Sequence, residues 1–268
     1  MDSPDNEGQR GSTAIVAGVL AFHKLLDRFS YGATNYSPRR MARLLEVLVS
    51  SGYHFESLNV VMQRLSLRTL AVTFDDGYRH LAEELPPLID QFGIVPHVFV
   101  PTALIGCTND WDYSHRLCST SHLSVNEIKQ LARLGVTFGS HANRHCDLTV
   151  CSDAELREEL STSKRLLEEI ISAEVTTISY PFGRVNQRVL DTAVDIGYQY
   201  GFTMRFPRPD DKSAACGRWP VYGFDTPFSV TQKIGNGPLF MLEQLKSQIA
   251  TGLSGGTLVL GKLTRWFG

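Results

Sequence analysis

The sequence predicts an α/β fold in a single domain, a mostly parallel sheet most economically closed into a barrel, and three observations carry that expectation. Apolar, β-branched runs alternate with helical patterns along the chain, and no internal repeat interrupts them. A length of 268 residues suits one α/β barrel built round one core. The residues with the most distinctive chemistry stand just past the ends of apolar runs, where parallel α/β proteins place their sites. The expected layout is a tail over residues 1–12 and a barrel domain over 13–268.

From Ala14 to Phe22 the chain is continuously apolar and too short to span a bilayer, which describes a fully buried strand, with His23 at its end. Ser37-Pro38 supplies a capping residue and a first-turn proline; Met41, Leu44, Leu45 and Leu48 keep helical spacing, and Gly52 closes the helix. Leu70 to Phe74 is a strand that ends in a turn at Gly77. Arg79 to Phe92 has a helical pattern that Pro86-Pro87 should break or kink, and Ile94 to Val100 returns to strand. Pro101 to His122 has no period and is expected to be a long loop on a binding face. Ser124 with Glu127 and Ser152 with Glu155 are capping-box patterns, so a helix begins at each. Gly135 ends the first, and Leu156, Leu160, Leu167 and Ile171 form the apolar stripe of the second. Val136 to Gly139 lies between them as a strand. Then follow a strand over Thr176 to Tyr180, a helix over Val189 to Ile196, a strand over Tyr198 to Met204, a helix over Pro238 to Thr251 and a last strand over Thr257 to Leu260.

Composition excludes some functions. The net charge is −2, with 26 basic residues dispersed among 28 acidic ones, so no basic face points to nucleic acid. Met1 to Gly8 is acidic and polar, unlike a secretory signal, and no run reaches the ~18 apolar residues that a membrane span needs, so a cytoplasmic location is expected. The five cysteines have no paired metal-type spacing and suit free thiols in a reducing compartment. Cys146, next to His145, reads as a small residue filling space rather than a thiolate ligand.

Asp75-Asp76 follows one apolar run, and His141 and His145 follow another. Alone, each is ambiguous: adjacent Asp residues before Gly often make a turn or cap, and two histidines four apart fit either a helix face or a turn. Together they offer a triad of one Asp and two His with positions open for water, and a second carboxylate beside it. That arrangement suits hydrolysis, because a divalent ion lowers the pKa of water towards ~7 and polarises a carbonyl while the other carboxylate takes a proton. Neighbouring side chains in extended backbone point opposite ways, which would divide the two roles. Ser179 to Gly183 also follows a strand and can aim a backbone N–H at an oxyanion, or be a plain Pro-Gly turn. His23, a lone histidine after an apolar strand, reads either as an ordinary satisfied core or surface residue or, at the same end of the sheet, as a general acid.

Thr73-Phe74-Asp75-Asp76-Gly77, His141-Ala142-Asn143-Arg144-His145 and Tyr180-Pro181-Phe182-Gly183, in that order, resemble the polysaccharide deacetylase family, the domain shared with nodulation-type chitooligosaccharide deacetylases and with carbohydrate esterase family 4. The resemblance spans at least Leu70 to Gly201. It implies a distorted (β/α)7-type barrel, with fewer than eight repeats, and metal-dependent N-deacetylation of amino sugars. It further implies Asp75 as base, Asp76, His141 and His145 as metal ligands, and the Phe182 N–H in the oxyanion hole. Two departures stand out. Ser179 occupies the position where ordinary members carry arginine, and no histidine follows His145 to supply their C-terminal Leu-x-His. Leu20 to His23 is similar to the N-terminal strand and histidine of circularly permuted exopolysaccharide deacetylases, which makes His23 the general acid. Arg218 is the candidate replacement for the missing arginine.

The resulting expectation is a zinc-type enzyme, with Co²⁺, Ni²⁺ or Mn²⁺ also accepted by such a triad, acting on an N-acetylated, GlcNAc-like poly-, oligo- or lipid- or nucleotide-linked saccharide and releasing acetate. A non-carbohydrate amide or O-acetyl ester as substrate, or a catalytically silent metal-containing binding module, are the alternatives. Trp111, Tyr113 and Trp219 are either sugar-stacking platforms or ordinary buried aromatics.

Overall fold

The computed structural model describes residues 18–27, 33–63, 68–107, 121–235 and 237–250. The proposed N-terminal tail, Trp111, Tyr113, Cys118 and the expected strand over Thr257 to Leu260 lie outside the described residues. In chain order the elements are β1 (Gly18–Phe22), β2 (Lys24–Leu25), β3 (Asn35–Tyr36), α1 (Pro38–Ser50), β4 (His54–Phe55), α2 (Leu58–Gln63), β5 (Thr69–Phe74), α3 (Leu81–Phe92) and β6 (His97–Val100). They continue with α4 (Val125–Arg133), β7 (Thr137–Ser140), α5 (Asp153–Ile171), β8 (Thr177–Ser179), α6 (Gln187–Ile196), β9 (Tyr200–Phe202), β10 (Trp219–Pro220) and α7 (Pro227–Ile234). Residues 240–250 are also helical.

The main sheet runs β10-β1-β5-β6-β7-β8-β9, with β4 paired to the start of β5. Every pair in it is parallel. A parallel bridge between Phe202 and Cys216, with Cys216 N donating to Gly201 O at 2.7 Å, brings the segment before β10 against β9 and joins the two ends of the curled sheet. The result is the expected distorted seven-stranded barrel, and the N-terminal strand sits inside it between β5 and β10.

Strand alternation sorts the core into two parts. Leu20, Phe22, Leu70, Val72, Phe74, Val98, Val100 and Ile178 face the helices and pack with Met41, Leu44, Leu48, Leu85, Leu156 and Leu160. Val19, Ala71, Phe99 and Phe202 form a second cluster, inside the barrel. Both faces are covered, which is why the strands read as unbroken apolar runs. The same parity sends Thr73, His97, Thr177 and Ser179 inward as buried polar groups. His97 sits between Thr137 Oγ1 at 2.7 Å and Thr177 Oγ1 at 2.9 Å. Burial, helped by the charge of Arg218, lowers its pKa to about 3, so the ring is neutral at ordinary pH.

Gly139 on β7 closes over this layer. A Cβ there would lie 2.4 Å from Thr177 Oγ1, 2.6 Å from His97 Nε2 and 2.7 Å from Phe99 Cδ1. Gly139→Ala is therefore expected to destabilise the protein by about 1–3 kcal/mol through overpacking, read as a lowered midpoint in chemical denaturation. An unchanged midpoint would show that this interior layer repacks freely.

Both predicted capping boxes form, at Ser124 and Ser152, and Ser37 caps α1 ahead of Pro38. Other expectations need correction. α3 runs unbroken through Pro86 and Pro87. The prolines fall outside the stripe of buried Leu81, Leu85 and Leu88, with Pro86 half-buried and Pro87 exposed, so neither ring enters the core. β6 begins at His97 and not at Ile94, since Pro96 has no N–H to give a ladder. β4, α2, α7 and the short β10 were not legible as elements. β10 contains a proline and only two residues, yet Leu20–Trp219 and Ala21–Pro220 pairing fixes it beside β1. Trp219 is no sugar platform: it is 4% exposed and packs edge-on against Phe206 and Phe240. No helix among the described residues is long and apolar enough to cross a membrane.

Candidate active site

The C-terminal ends of β1, β5, β7 and β8 converge on one buried cluster. β5 delivers Asp75 and Asp76, whose residues are 2% and 7% exposed. Asp75 continues the inward parity of Ala71 and Thr73. Asp76, however, has a left-handed backbone with φ of 69°, and Gly77 follows at 56°. The two carboxylates are thus separated by a turn and not by strand alternation, which corrects the expectation of extended backbone. His122 pins that turn, with Nδ1 2.7 Å from Asp76 O.

His141 leaves β7 with Nδ1 2.6 Å from Ser179 O, a contact that turns Nε2 towards Asp76. The next residues form a loop, so the turn and not the helix describes the histidine pair; Ala142 and His145 both take left-handed backbone, at φ of 60° and 54°. His141 Nε2 and His145 Nε2 lie 3.3 and 3.2 Å from Asp76 Oδ1. The three potential ligand atoms are all within 4.8 Å of one another. Two imidazoles and one carboxylate, convergent and shielded from water, fit a divalent transition metal with room for exogenous ligands. Cys146 is not in this set: its Sγ lies 3.7 Å from Cys151 Sγ, in agreement with a space-filling role.

Beside the triad, Arg218 reaches in from the turn before β10. Its guanidinium is fully buried and grips Asp75 with both arms, Nη1 to Oδ1 at 2.7 Å and Nη2 to Oδ2 at 2.6 Å. Nη1 also reaches Thr73 Oγ1 at 3.2 Å, Nη2 reaches Ser179 Oγ at 2.9 Å, and Nε donates to Thr203 O at 3.3 Å. The rings of Phe99 and Phe202 lie 5.4 and 5.9 Å from the guanidinium carbon. Ser179 Oγ donates to Asp75 Oδ2 at 3.1 Å, so a small residue at that position leaves space for an arginine arriving from elsewhere in the chain.

The electrostatics follow from these partners. Burial is the largest influence on Asp75 and would raise its pKa, but the charge and hydrogen bonds of Arg218 pull it down to about 2, so it is ionised at neutral pH. Burial likewise opposes ionisation of Asp76, and hydrogen bonds with His141 and His145 hold it well below the usual carboxylate range. Burial disfavours the charged form of His141 too, but Asp76 and Asp75 win and raise it. His23, half-buried just past β1, shifts the other way: desolvation lowers it, against the pull of Asp76 and Asp75.

Phe182 has the left-handed φ of 59° in a tight turn. The turn bonds Gly183 N to Tyr180 O and Arg184 N to Pro181 O use neighbouring N–H groups and not that of Phe182. Its ring sits edge-on to His145, with centroids 4.7 Å apart. All the candidate residues, His23, Asp75, Asp76, His141, His145, Phe182 and Arg218, therefore belong to one end of the barrel. Sequence reasoning overlooked Thr73 as a hydrogen-bond partner of Arg218 and His122 as the prop of the Asp76 turn.

The family profile described as polysaccharide deacetylase matches residues 63–201. A Bacillus subtilis (strain 168) protein named as a polysaccharide deacetylase, YxkH, is 30% identical over 138 residues, covering 52% of this chain and 45% of that protein. The poly-beta-1,6-N-acetyl-D-glucosamine N-deacetylase of Staphylococcus aureus (strain N315) is 25% identical over 146 residues, covering 51% and 48%. The chain thus spans about half the length of the curated relatives it matches. Among solved structures, the Streptococcus pyogenes deacetylase PplD in complex with acetate superposes with a TM-score of 0.71 at 20% identity, covering 83% of this chain and 99% of that one. IcaB from Ammonifex degensii gives 0.67 at 22% identity, covering 81% and 95%.

Proposed function

The chain belongs to the polysaccharide deacetylase family, and from that premise we propose that it is a metal-dependent N-deacetylase. It hydrolyses the acetamide of an N-acetylated amino sugar and releases acetate. The observation that carries the reading is the pairing of two different carboxylate environments: Asp76 faces two imidazoles, while Asp75 is clamped by Arg218. Asp76, His141 and His145 would hold a divalent cation, which supplies Lewis acidity and lowers the pKa of water towards ~7.

The remaining work falls to the chain. Asp75, kept ionised by Arg218, takes the proton of the attacking water. A carboxylate with so low a pKa is a weak base, so the proton transfer relies on an acidified water. The N–H of Phe182, which neither turn bond uses, would donate to the oxygen that gains charge as the acetyl carbon becomes tetrahedral. His23, whose pKa burial lowers, is the proton donor: its imidazolium form, charged from solvent, gives its proton to the departing sugar nitrogen, and the proton that Asp75 took from water recharges it. The C–N bond breaks, leaving acetate and an amine.

The Staphylococcus aureus relative supports a polymer or oligomer of β-1,6-linked N-acetylglucosamine as the substrate class. The test is acetate release from such oligomers against an O-acetylated sugar ester at equal concentration. Faster release from the amide supports the reading; turnover of the ester alone would replace it with an esterase.

A further inference from the structure

We propose that Glu159 on α5 is a positioning residue for the metal-binding loop, setting His145 through the backbone of Asn143 and Arg144. This rests on reading Asp76, His141 and His145 as metal ligands.

The two histidines are held in different ways. His141 is fixed by β7 itself, with its N–H bonded to Val100 O at 3.0 Å and its ring bonded to Ser179 O at 2.6 Å. His145 lies beyond a loop with two non-glycine residues in left-handed backbone, Ala142 and His145 itself. Such conformations persist only where the surroundings over-determine them. Residues 102–103 take the carbonyl side of the loop: Thr102 N donates to Ala142 O at 3.3 Å and Ala103 N to Asn143 O at 2.9 Å. Glu159 takes the amide side. Its Oε2 accepts Asn143 N at 3.1 Å and Arg144 N at 2.8 Å, and its Oε1 accepts Arg144 Nε.

Glu159 is 1% exposed and lies on the buried stripe of α5 with Leu156, Leu160 and Leu167. A carboxylate on an apolar stripe is unfavourable for the helix unless its charge is matched, and the two loop N–H groups and Arg144 match it. One turn further on, Ser163 Oγ touches Ser140 Oγ at 2.8 Å, and Ser140 Oγ accepts Ala142 N at 3.1 Å. α5 thus braces the loop at two points, and Glu159 is the one nearer His145. The consequence of this bracing is the placement of His145 Nε2 3.2 Å from Asp76 Oδ1.

The experiment titrates metal-free protein with Co²⁺ in competition with a chromophoric chelator, and follows thermal unfolding of the same metal-free samples. Glu159→Ala is expected to bind Co²⁺ about 10–100-fold more weakly than wild type, with acetate release recovering at saturating Co²⁺. Two further variants separate reach from charge. Glu159→Gln keeps an oxygen at full reach and should bind close to wild type; Glu159→Asp keeps the charge but withdraws it by one methylene and should bind more weakly than the Gln variant. Leu160→Ala, which empties a core position on the same helix, should lower the unfolding temperature and leave Co²⁺ affinity unchanged. Wild-type affinity in Glu159→Ala, the reverse order of the Asp and Gln variants, or equal weakening in Leu160→Ala would each overturn the inference. A wild-type protein that binds no Co²⁺ overturns the metal reading beneath it and takes this inference with it. One that binds Co²⁺ without releasing acetate defeats only the deacetylase reading.

Discussion

Asp75→Asn is expected to lower acetate release by about 10²–10⁴-fold while the protein still binds its divalent metal, because the substitution removes a proton acceptor and no ligand atom. Asp76 Oδ1, not Asp75, faces both imidazoles. Asn fills the space of Asp and can still accept one hydrogen bond, but the Arg218 guanidinium, 0% exposed, then has no counter-charge. A stability loss of up to about 3–5 kcal/mol is the expected side effect. Metal stoichiometry and turnover, measured on one preparation, separate the roles: a loss of both would assign Asp75 to the ligand set. Turnover near wild type would remove it as the base.

Arg218→Ala reaches the same carboxylate from the other side. It strands Asp75 in a site where, among the described residues, Ser179 Oγ is the side-chain donor left to it, so the expected destabilisation is again about 3–5 kcal/mol. The stability difference has a defined pH dependence. Asp75 has its pKa depressed to about 2 in the folded protein, so the stabilisation is fully present above the ordinary carboxylate value of ~3.9 and fades as pH falls towards about 2. The gap between wild type and variant should therefore narrow below about pH 4. Activity responds separately. Without the guanidinium the pKa of Asp75 rises, and the acidic limb of kcat/KM moves to higher pH. Arg218→Lys should fall in between, because an ammonium cannot grip both carboxylate oxygens in parallel. An unaltered acidic limb and turnover in Arg218→Ala would show that the pair is structural only.

The parts of the fold visible in the sequence were those written by local physics. Buried parallel strands such as Thr69–Phe74 and Gly18–Phe22 show as apolar runs because both their faces are covered. Capping boxes at Ser124 and Ser152 mark helix starts because the cap is a contact three residues long. What was hidden depends on contacts distant in sequence. β10 is a two-residue strand containing a proline, and only its pairing with β1 makes it one. The prolines of α3 were misread because their effect depends on which side of the helix faces water.

The candidate site divides in the same way. Asp75-Asp76 and His141 with His145 were legible as a constellation because each follows a strand that the sequence displays. The separation of the two aspartates was not, since it comes from the left-handed turn at Asp76. Arg218 was suggested by the resemblance rather than by local pattern, 143 residues from its partner in the chain. Glu159 left one signal, an acidic residue at the buried spacing of Leu156 and Leu160, which is easily taken for one more charge on a solvated helix.

We propose that one end of this barrel is a metal-dependent deacetylase site. Its most direct test is acetate release from β-1,6-linked N-acetylglucosamine oligomers by wild-type protein before chelation, after chelation, and after Zn²⁺ or Co²⁺ is returned. The expected result is release that stops on chelation and returns at about one metal ion per chain, in line with a single triad of Asp76, His141 and His145 among the described residues. Release that continues undiminished in the metal-free protein, or no release by a protein fully loaded with metal, would contradict the account.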